Sequence, residues 1–357
     1  MPKIIGNIEL YMGPHQLGGP DNLEETIVRF IDGARKTLFI AVQELDSPAI
    51  AHAIIRAKKR KVLVKLVLEA DYLVAPAFRG DPFVPGGGHE INRELHNAIL
   101  RAAIKVNSDF NPHIFHQKFV VRDRTSVLTG STNFTETGTS VNLNHIVIVH
   151  DKDVAKAYDL EFSEIQKGRF GAESDVHGPK PLVKLVNDVR VKVLFAPEHA
   201  PEMEIMKQIA KARRRIDFAI FTFAQSSGID DQLALVKERP GVEIRGALYR
   251  MQANQSWSSK DLLHAAGVEV NLVPTPGRPG PMPGKLHHKL MVVDESLVIA
   301  GSFNYTGAAN KLNDENLIIL GDLECTDPEG VRKQRELARF AMDEIDRIVE
   351  VFGERVV

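Results

Sequence analysis

An internal repeat limits the possible folds of this chain more than any other feature of its sequence. The stretch that begins at His116, HQKFVVRDRTSVLTGSTNFTETGTSVNLNHIVIVHD, aligns without a gap with the stretch that begins at His287, HHKLMVVDESLVIAGSFNYTGAANKLNDENLIILGD. The two starting points are 171 residues apart, which is close to half of the 357-residue chain. Weaker similarity continues upstream, where ARKTLFIAVQEL corresponds to ARRRIDFAIFTF. The chain therefore contains two copies of one structural unit.

Each copy has the pattern of an α/β unit, because amphipathic stretches alternate with short apolar runs. The predicted helices cover residues 23–36 and 48–59 in the first copy and residues 204–215 and 230–238 in the second. The pattern predicts two similar lobes, each a mixed sheet flanked by helices. The turn-rich segment 168–181 separates the copies, so we place the lobes at residues 1–172 and 173–357.

Inside the repeated block, two further strands are predicted in each copy. They cover residues 115–122 and 126–129 in the first copy and residues 286–293 and 297–300 in the second. A tight turn joins each pair, at Asp123-Arg124 and at Asp294-Glu295. We expect both aspartates to be structural, because aspartate in a turn commonly bonds to the backbone.

Composition excludes several classes of protein. Lys and Arg number 45 and Asp and Glu 47, a net charge of -2, so any polyanion must be bound locally rather than by bulk charge. The single cysteine, Cys325, excludes an intramolecular disulfide and a cysteine-based metal cluster. No apolar run is long enough for a signal peptide or a membrane span, which leads us to expect a cytoplasmic protein.

The same polar side chains recur in both copies in the form H-x-K-x4-D-x6-G-S-x-N. Outside the turn, the recurring pairs are His116 and His287, Lys118 and Lys289, Gly130 and Gly301, Ser131 and Ser302, and Asn133 and Asn304. Residues two apart on a strand share a face, so histidine and lysine point the same way. An imidazole, an ammonium group and an amide that converge suit a phosphate ester, since the first attacks or protonates while the others bind the nonbridging oxygens. The glycines are expected to allow close approach of two backbones.

This string of residues resembles the HKD motif of the phospholipase D superfamily, and both copies match it in full. The resemblance implies phospholipase D-like lobes that are related by a pseudo-twofold axis. It implies further that the two motifs meet at one site between the lobes, so that a dimer is not required. It also implies a metal-independent reaction without a cofactor, in which one histidine forms a covalent phosphohistidine. The other histidine protonates the leaving oxygen and then activates water.

The two copies differ eleven residues after each motif asparagine. Many members of the superfamily have a glutamate there that bonds to a catalytic histidine; the second copy has Glu315, whereas the first has Asn144. A carboxylate raises the basicity of an imidazole, while an amide only orients it. The sequence leaves open whether Glu315 contacts His287 in its own lobe or His116 in the other. We expect His116 to be the nucleophile, which requires the contact between lobes.

The substrate is a nucleic acid in our first interpretation, because the compact lobes are similar to the nuclease branch of the superfamily and offer no amphipathic anchor for a membrane. A metal-independent nuclease acting on DNA or RNA is therefore expected; a phospholipase D or phosphatidyl transferase acting on phospholipid head groups is the alternative. Loops before each motif could shape access to the site. Candidate contacts to a nucleic acid are Arg79, Lys105, Arg278 and Lys285 for the backbone, and Phe78, Phe83, Trp257 and Met282 for the bases.

Overall fold

The computed structural model describes residues 1–74, 84–174, 178–275 and 281–357, and their strands form two sheets. The strands of the first sheet are β1 (Lys3–Ile5), β2 (Ile8–Gly13), β3 (Thr37–Val42), β4 (Leu63–Glu69), β5 (Lys105–Asp109), β6 (Lys118–Arg122), β7 (Ser126–Gly130) and β8 (Asn144–Val149). The strands of the second sheet are β9 (Leu182–Val186), β10 (Val189–Ala196), β11 (Arg215–Ile220), β12 (Glu243–Tyr249), β13 (Glu269–Val273), β14 (Lys289–Val293), β15 (Leu297–Gly301), β16 (Glu315–Leu320) and β17 (Glu354–Arg355).

The two sheets have the same topology. The first runs in the order β1-β2-β8-β7-β6-β3-β4-β5, and the second runs β9-β10-β16-β15-β14-β11-β12-β13 with β17 added at its edge. In both, the strand that begins at the motif lysine lies between an antiparallel partner from the same hairpin and an upstream strand. The predicted mixed α/β fold with two similar lobes is thereby confirmed.

Helices cover both sheets and also fill the space between them. They are α1 (Leu23–Asp32), α2 (Pro48–Lys59), α3 (Glu90–Arg101), α4 (Glu136–Ser140), α5 (Lys152–Ile165), α6 (Pro201–Lys211), α7 (Ile229–Lys237), α8 (Arg250–Ala253), α9 (Lys260–Ala265), α10 (Gly307–Lys311) and α11 (Pro328–Phe352). Helix α5 packs on β6 and β7 and also reaches β9 and β10, while α11 packs on the second sheet and reaches β1 and β2. One apolar core runs through both lobes, and this shared core fixes their relative position.

Several predicted boundaries need correction. Helix α1 ends at Asp32 rather than at residue 36, because the backbone N–H groups of Arg35, Lys36 and Thr37 donate to the Asp123 carboxylate instead of continuing the helix. The motif strands begin at the lysines rather than at residues 115 and 286, since the chain just before them pairs with the other lobe. Helix α2 has the predicted bounds.

The hairpin turns are as predicted, and their aspartates have a definite structural role. Asp123 and Arg124 have φ of 53° and 54°, and Asp294 and Glu295 have φ of 49° and 53°, as a tight hairpin requires. The Asp294 carboxylate accepts from the backbone N–H groups of residues 213–215, at 2.8 to 2.9 Å. Each aspartate therefore bonds to the start of the neighbouring strand, and not to its own backbone as expected.

The first sheet ends at Val149 and the second begins at Leu182, so the predicted boundary at residues 172 and 173 lies in the segment between them. Its exact position stays a prediction. None of the helices formed by the described residues combines the length and the apolar character that crossing a membrane would require.

Candidate active site

The two motif histidines meet where the lobes touch. Two equivalent β-bridges cross between the sheets, from Phe115 to Asp314 and from Leu143 to Leu286. Next to them, the backbone N–H groups of His116 and His287 donate across the interface at 3.0 and 2.9 Å. The imidazole centroids lie 6.5 Å apart with the rings inclined by 69°, and the two residues are 6% and 7% exposed. The predicted single site between the lobes is thus present in the geometry.

Glu315 contacts His116 of the other lobe. Its Oε2 atom lies 2.7 Å from Nδ1 of His116 and accepts a hydrogen bond of 2.5 Å from the Ser302 hydroxyl. Glu315 is fully buried. The question that the sequence left open is therefore answered in favour of the contact between lobes.

Asn144 occupies the equivalent position behind His287. Nδ1 of His287 lies 3.0 Å from Oδ1 of Asn144 and 3.1 Å from the backbone oxygen of Ser131, while the Ser131 hydroxyl donates to the same amide oxygen at 2.7 Å. Because both neighbours of this nitrogen are acceptors, Nδ1 carries the proton. Nε2 of His287 is then the nitrogen left for a substrate, and the same holds for His116, whose Nδ1 is taken by Glu315.

The two lysines are buried beside the histidines. The ammonium groups of Lys118 and Lys289 donate to the backbone oxygens of His116 and His287 at 2.8 and 2.9 Å. The asparagines of the motif retain hydrogen-bonding capacity: Oδ1 of Asn133 and of Asn304 are buried without a partner among the described residues. The lysine ammonium groups are thus available as donors to the oxygens of a phosphoryl group, whereas the free amide oxygens are acceptors and would bond to a donor on the substrate.

Burial governs the protonation of the site. Desolvation, reinforced by both lysines, holds the pKa of each motif histidine well below its usual range. Burial also lowers the pKa of Lys118 to about 7 and raises the pKa of Glu315 to about 8. An anionic phosphodiester that enters this site would favour the charged lysines and the protonated histidine, because it supplies the missing opposite charge.

A family model described as "Cardiolipin synthase, PLD-like domain" matches residues 27–166 and 205–328, which is well over half of the chain and includes both motifs. The chain belongs to the phospholipase D superfamily. The resemblance read from the HKD motifs is therefore confirmed at the level of the family.

Curated relatives of this phospholipase D-like chain carry lipid-related names. "Phospholipase D" of Rickettsia bellii (strain RML369-C) is 32% identical over 160 residues, which cover 42% of this chain and 73% of the relative. "Mitochondrial cardiolipin hydrolase" of Xenopus laevis is 31% identical over 133 residues, which cover 37% of this chain and 56% of the relative. The chain thus spans little more than half of the Xenopus protein.

A solved structure shows the same phospholipase D fold. The phosphatidylserine synthase of Haemophilus influenzae Rd KW20 superimposes with a TM-score of 0.68 at 14% identity, over 100% of this chain and 88% of that chain. At this identity the likeness shows the fold, with its two lobes and two sheets.

Two residues that the sequence interpretation missed complete the lysine sites. Gln43 accepts a hydrogen bond of 3.1 Å from the ammonium group of Lys118, whereas the ring of Phe221 lies 4.9 Å below the ammonium group of Lys289 and 4.9 Å from the His287 ring. Gln43 directly follows β3, and Phe221 directly follows β11. These are the upstream strands that pair with β6 and β14. Their equivalent positions in the two copies of the repeat are the signal by which the sequence could have identified them.

Several predicted substrate contacts can be located. Lys285 lies at the site, with its ammonium group 5.8 Å from the Phe221 ring. Lys105 does not lie at the site. It begins β5 opposite Lys65 of β4, whereas the site lies near the other end of β4, where the Glu69 carboxylate accepts from the backbone N–H of Phe115. Trp257 is 42% exposed and Met282 packs against the core. Arg79, Arg278, Phe78 and Phe83 fall within residues 75–83 and 276–280, outside the described residues.

The motif glycines allow the close approach that we expected. A Cβ atom on Gly130 would lie 2.3 Å from the backbone oxygen of His145, and one on Gly301 would lie 2.4 Å from that of Asn316. Both glycines have φ near 140°, a conformation that other residues rarely adopt. Any side chain there would push apart the strands that hold Asn144 and Glu315.

Proposed function

We propose that this chain hydrolyses phosphodiesters in two steps through a phosphohistidine on His116, and that its substrates are phospholipids. One observation carries the catalytic assignment: a carboxylate lies 2.7 Å behind the ring of His116 and an amide lies 3.0 Å behind that of His287. The carboxylate stabilises the cation that forms when Nε2 bonds to phosphorus. The amide leaves His287 a weaker base and hence a better proton donor.

In the first step, the lone pair on Nε2 of His116 forms a bond to phosphorus while the bond from phosphorus to the head-group oxygen breaks. His287, which takes up a second proton on Nε2 when the anionic substrate binds, gives that proton to this oxygen, and the head-group alcohol leaves. In the second step, a water oxygen attacks phosphorus, its proton passes to Nε2 of His287, and the phosphorus–nitrogen bond breaks. The products are phosphatidic acid and the free alcohol. Lys118 and Lys289 hold the nonbridging oxygens throughout.

The phospholipid assignment is supported by the relatives, which are named phospholipase D and cardiolipin hydrolase. An exposed apolar residue close to His116 in the sequence supports it as well. Ile114 precedes His116 by two residues in extended chain, so both side chains lie on the same side, and Ile114 is 44% exposed. An apolar side chain at this point suits the glycerol and acyl part of a lipid. The comparisons offer no corresponding support for the nuclease that we first expected.

A direct competition of substrates tests the assignment. The purified chain is incubated with vesicles of cardiolipin, phosphatidylglycerol or phosphatidylethanolamine, and with single- and double-stranded DNA and RNA. We expect phosphatidic acid to be released from at least one type of vesicle while the polynucleotides stay intact, and His116→Ala to abolish the release. Oligonucleotide cleavage that outpaces lipid turnover and is lost in His116→Ala would replace the phospholipid assignment by the nuclease.

A further inference from the structure

A second set of contacts between the lobes lies behind the histidines. It is formed by the residues that directly follow His116, Asn144, His287 and Glu315, and successive side chains of an extended chain point to opposite faces. These four residues are Gln117, His145, His288 and Asn316, all fully buried. The Asn316 amide donates to Oε1 of Gln117 at 2.8 Å, and Nδ1 of His145 lies 3.1 Å from Nδ1 of His288.

The histidine pair has only one consistent arrangement of protons. The backbone N–H of Gly301 donates to Nε2 of His145 at 3.1 Å, so the proton of this imidazole is on Nδ1. Nδ1 of His145 therefore donates to Nδ1 of His288, and Nε2 of His288 donates to the Glu344 carboxylate at 3.3 Å. The two rings lie parallel within 2°. Every ring nitrogen of the pair is satisfied while both imidazoles stay neutral.

Each pair is also fixed to the helix behind its sheet. Glu344 of α11 accepts from His288 and is held by Arg347 at 2.8 Å. In the equivalent place, Glu161 of α5 accepts from the amide of Gln117 at 3.1 Å. The amide pair and the histidine pair are therefore equivalent constructions that hold the two lobes together at one level of the interface.

We propose that these pairs are two latches that position the catalytic histidines for different steps. The Gln117–Asn316 latch aligns His116 with Glu315, and the His145–His288 latch aligns His287 with Asn144. Each latch residue is joined by a peptide bond to the residue that it aligns. A shift of one lobe against the other at a latch therefore also displaces the contact between the catalytic histidine and its partner. A displacement of about 1 Å is enough to cost a large part of the rate.

The assignment of latches to steps rests on the proposed function, in which His116 forms the phosphoenzyme and His287 activates water for its hydrolysis. With a good leaving group, proton donation by His287 matters little in the first step. The latches then become separable: damage to the amide latch slows phosphoenzyme formation, and damage to the histidine latch slows phosphoenzyme hydrolysis.

The test uses bis(p-nitrophenyl) phosphate as a probe. Single-turnover experiments measure the rate constants of phosphoenzyme formation and of phosphoenzyme hydrolysis separately, each per folded chain. His145→Leu and Asn316→Leu are matched variants at equivalent positions that keep a side chain branched at Cγ and remove the hydrogen bonds. We expect His145→Leu to slow hydrolysis by about 10- to 100-fold with formation near wild type, and Asn316→Leu to do the reverse. His145→Ala and Asn316→Ala give the same comparison if the leucine variants do not fold.

Rescue provides the conservative control. The double variant H145N/H288Q rebuilds in the second latch the amide pair that the first latch already uses, and it should recover most of the lost hydrolysis rate. Equal loss of both steps in every variant, or no loss per active site, would overturn the latches. An exchanged pattern, in which Asn316→Leu slows hydrolysis and His145→Leu slows formation, would keep the latches and exchange the roles of His116 and His287 in the proposed function.

Discussion

Oε2 of Glu315 lies 2.7 Å from Nδ1 of His116, although the two residues belong to different lobes and are 199 positions apart in the chain. This contact makes two copies of one motif chemically unequal, because the equivalent contact to His287 comes from the amide of Asn144. It also makes the site depend on both lobes, since neither lobe contains a histidine together with its own partner.

The pH dependence of the first step should report on Glu315. Burial raises the pKa of this carboxyl to about 8, so the carboxylate that accepts from Nδ1 of His116 and leaves Nε2 unprotonated forms as the pH rises. We expect the rate of phosphoenzyme formation to fall as the pH drops through about 8. In Glu315→Gln this limb should disappear, and the plateau rate should be about 10- to 100-fold lower.

Glu161→Gln is the matched control for that experiment. Glu161 is also fully buried, and burial also raises the pKa of its carboxyl well above the usual range, but it bonds to Gln117 rather than to a motif histidine. Its replacement should leave the acid limb in place. An unchanged limb in Glu315→Gln would show that another group titrates.

Catalysis should not need a divalent metal, because the ammonium groups of Lys118 and Lys289 supply the positive charge for the phosphoryl oxygens. Among the described residues, the group of three carboxylates close enough together to share a metal consists of Glu161, Glu164 and Glu198. Glu161 bonds to the side chain of Gln117 rather than to a motif histidine. We expect turnover of vesicles to survive excess EDTA and to be inhibited by vanadate or tungstate. Loss in EDTA that a divalent ion reverses would exclude this mechanism.

Asp123 should contribute to stability without contributing to chemistry. Its carboxylate accepts from the backbone N–H groups of Lys36 and Thr37 at 2.6 and 2.9 Å, which fixes the start of β3. We expect Asp123→Ala to lower the free energy of unfolding by about 1.5–3 kcal/mol and to keep the turnover per active site. Denaturant unfolding combined with burst titration measures both quantities.

Asp153→Ala is the control for Asp123→Ala, because the Asp153 carboxylate forms an exposed ion pair with Lys184 that is worth about 0–1 kcal/mol. If Asp123→Ala lost turnover per active site while its free energy of unfolding stayed at the wild-type value, the motif aspartate would have to be reassigned to the chemistry.

Prediction from the sequence succeeded where the signal was periodic or repeated. The two lobes and the hairpin turns followed from a gapless repeat and from the pattern of apolar runs, whereas the meeting of the motifs at one site followed from the resemblance to the phospholipase D superfamily. The partner of Glu315 could not be predicted, because it depends on how the lobes pack. The same packing explains why strand β6 begins at Lys118: the chain at Phe115 pairs with Asp314 of the other lobe instead of joining its own sheet.

The histidine pair illustrates the same limit. His145 and His288 follow residues that the sequence marked as important, yet the second copy of the repeat has Asn316 where the first has His145, and the first copy has Gln117 where the second has His288. An amide pair and an imidazole pair satisfy the same buried position by different chemistry. The repeat alone therefore gave no sign that these positions face each other.

Trapping the covalent intermediate tests the central claim most directly. His287→Ala should still accept phosphorus from bis(p-nitrophenyl) phosphate, because the leaving group needs little acid, and should then stall without a base for water. The account predicts an acid-labile adduct on the peptide that contains His116, identified by mass spectrometry, and none in His116→Ala. An adduct on His287 in the wild-type chain, or any adduct in His116→Ala, would contradict it.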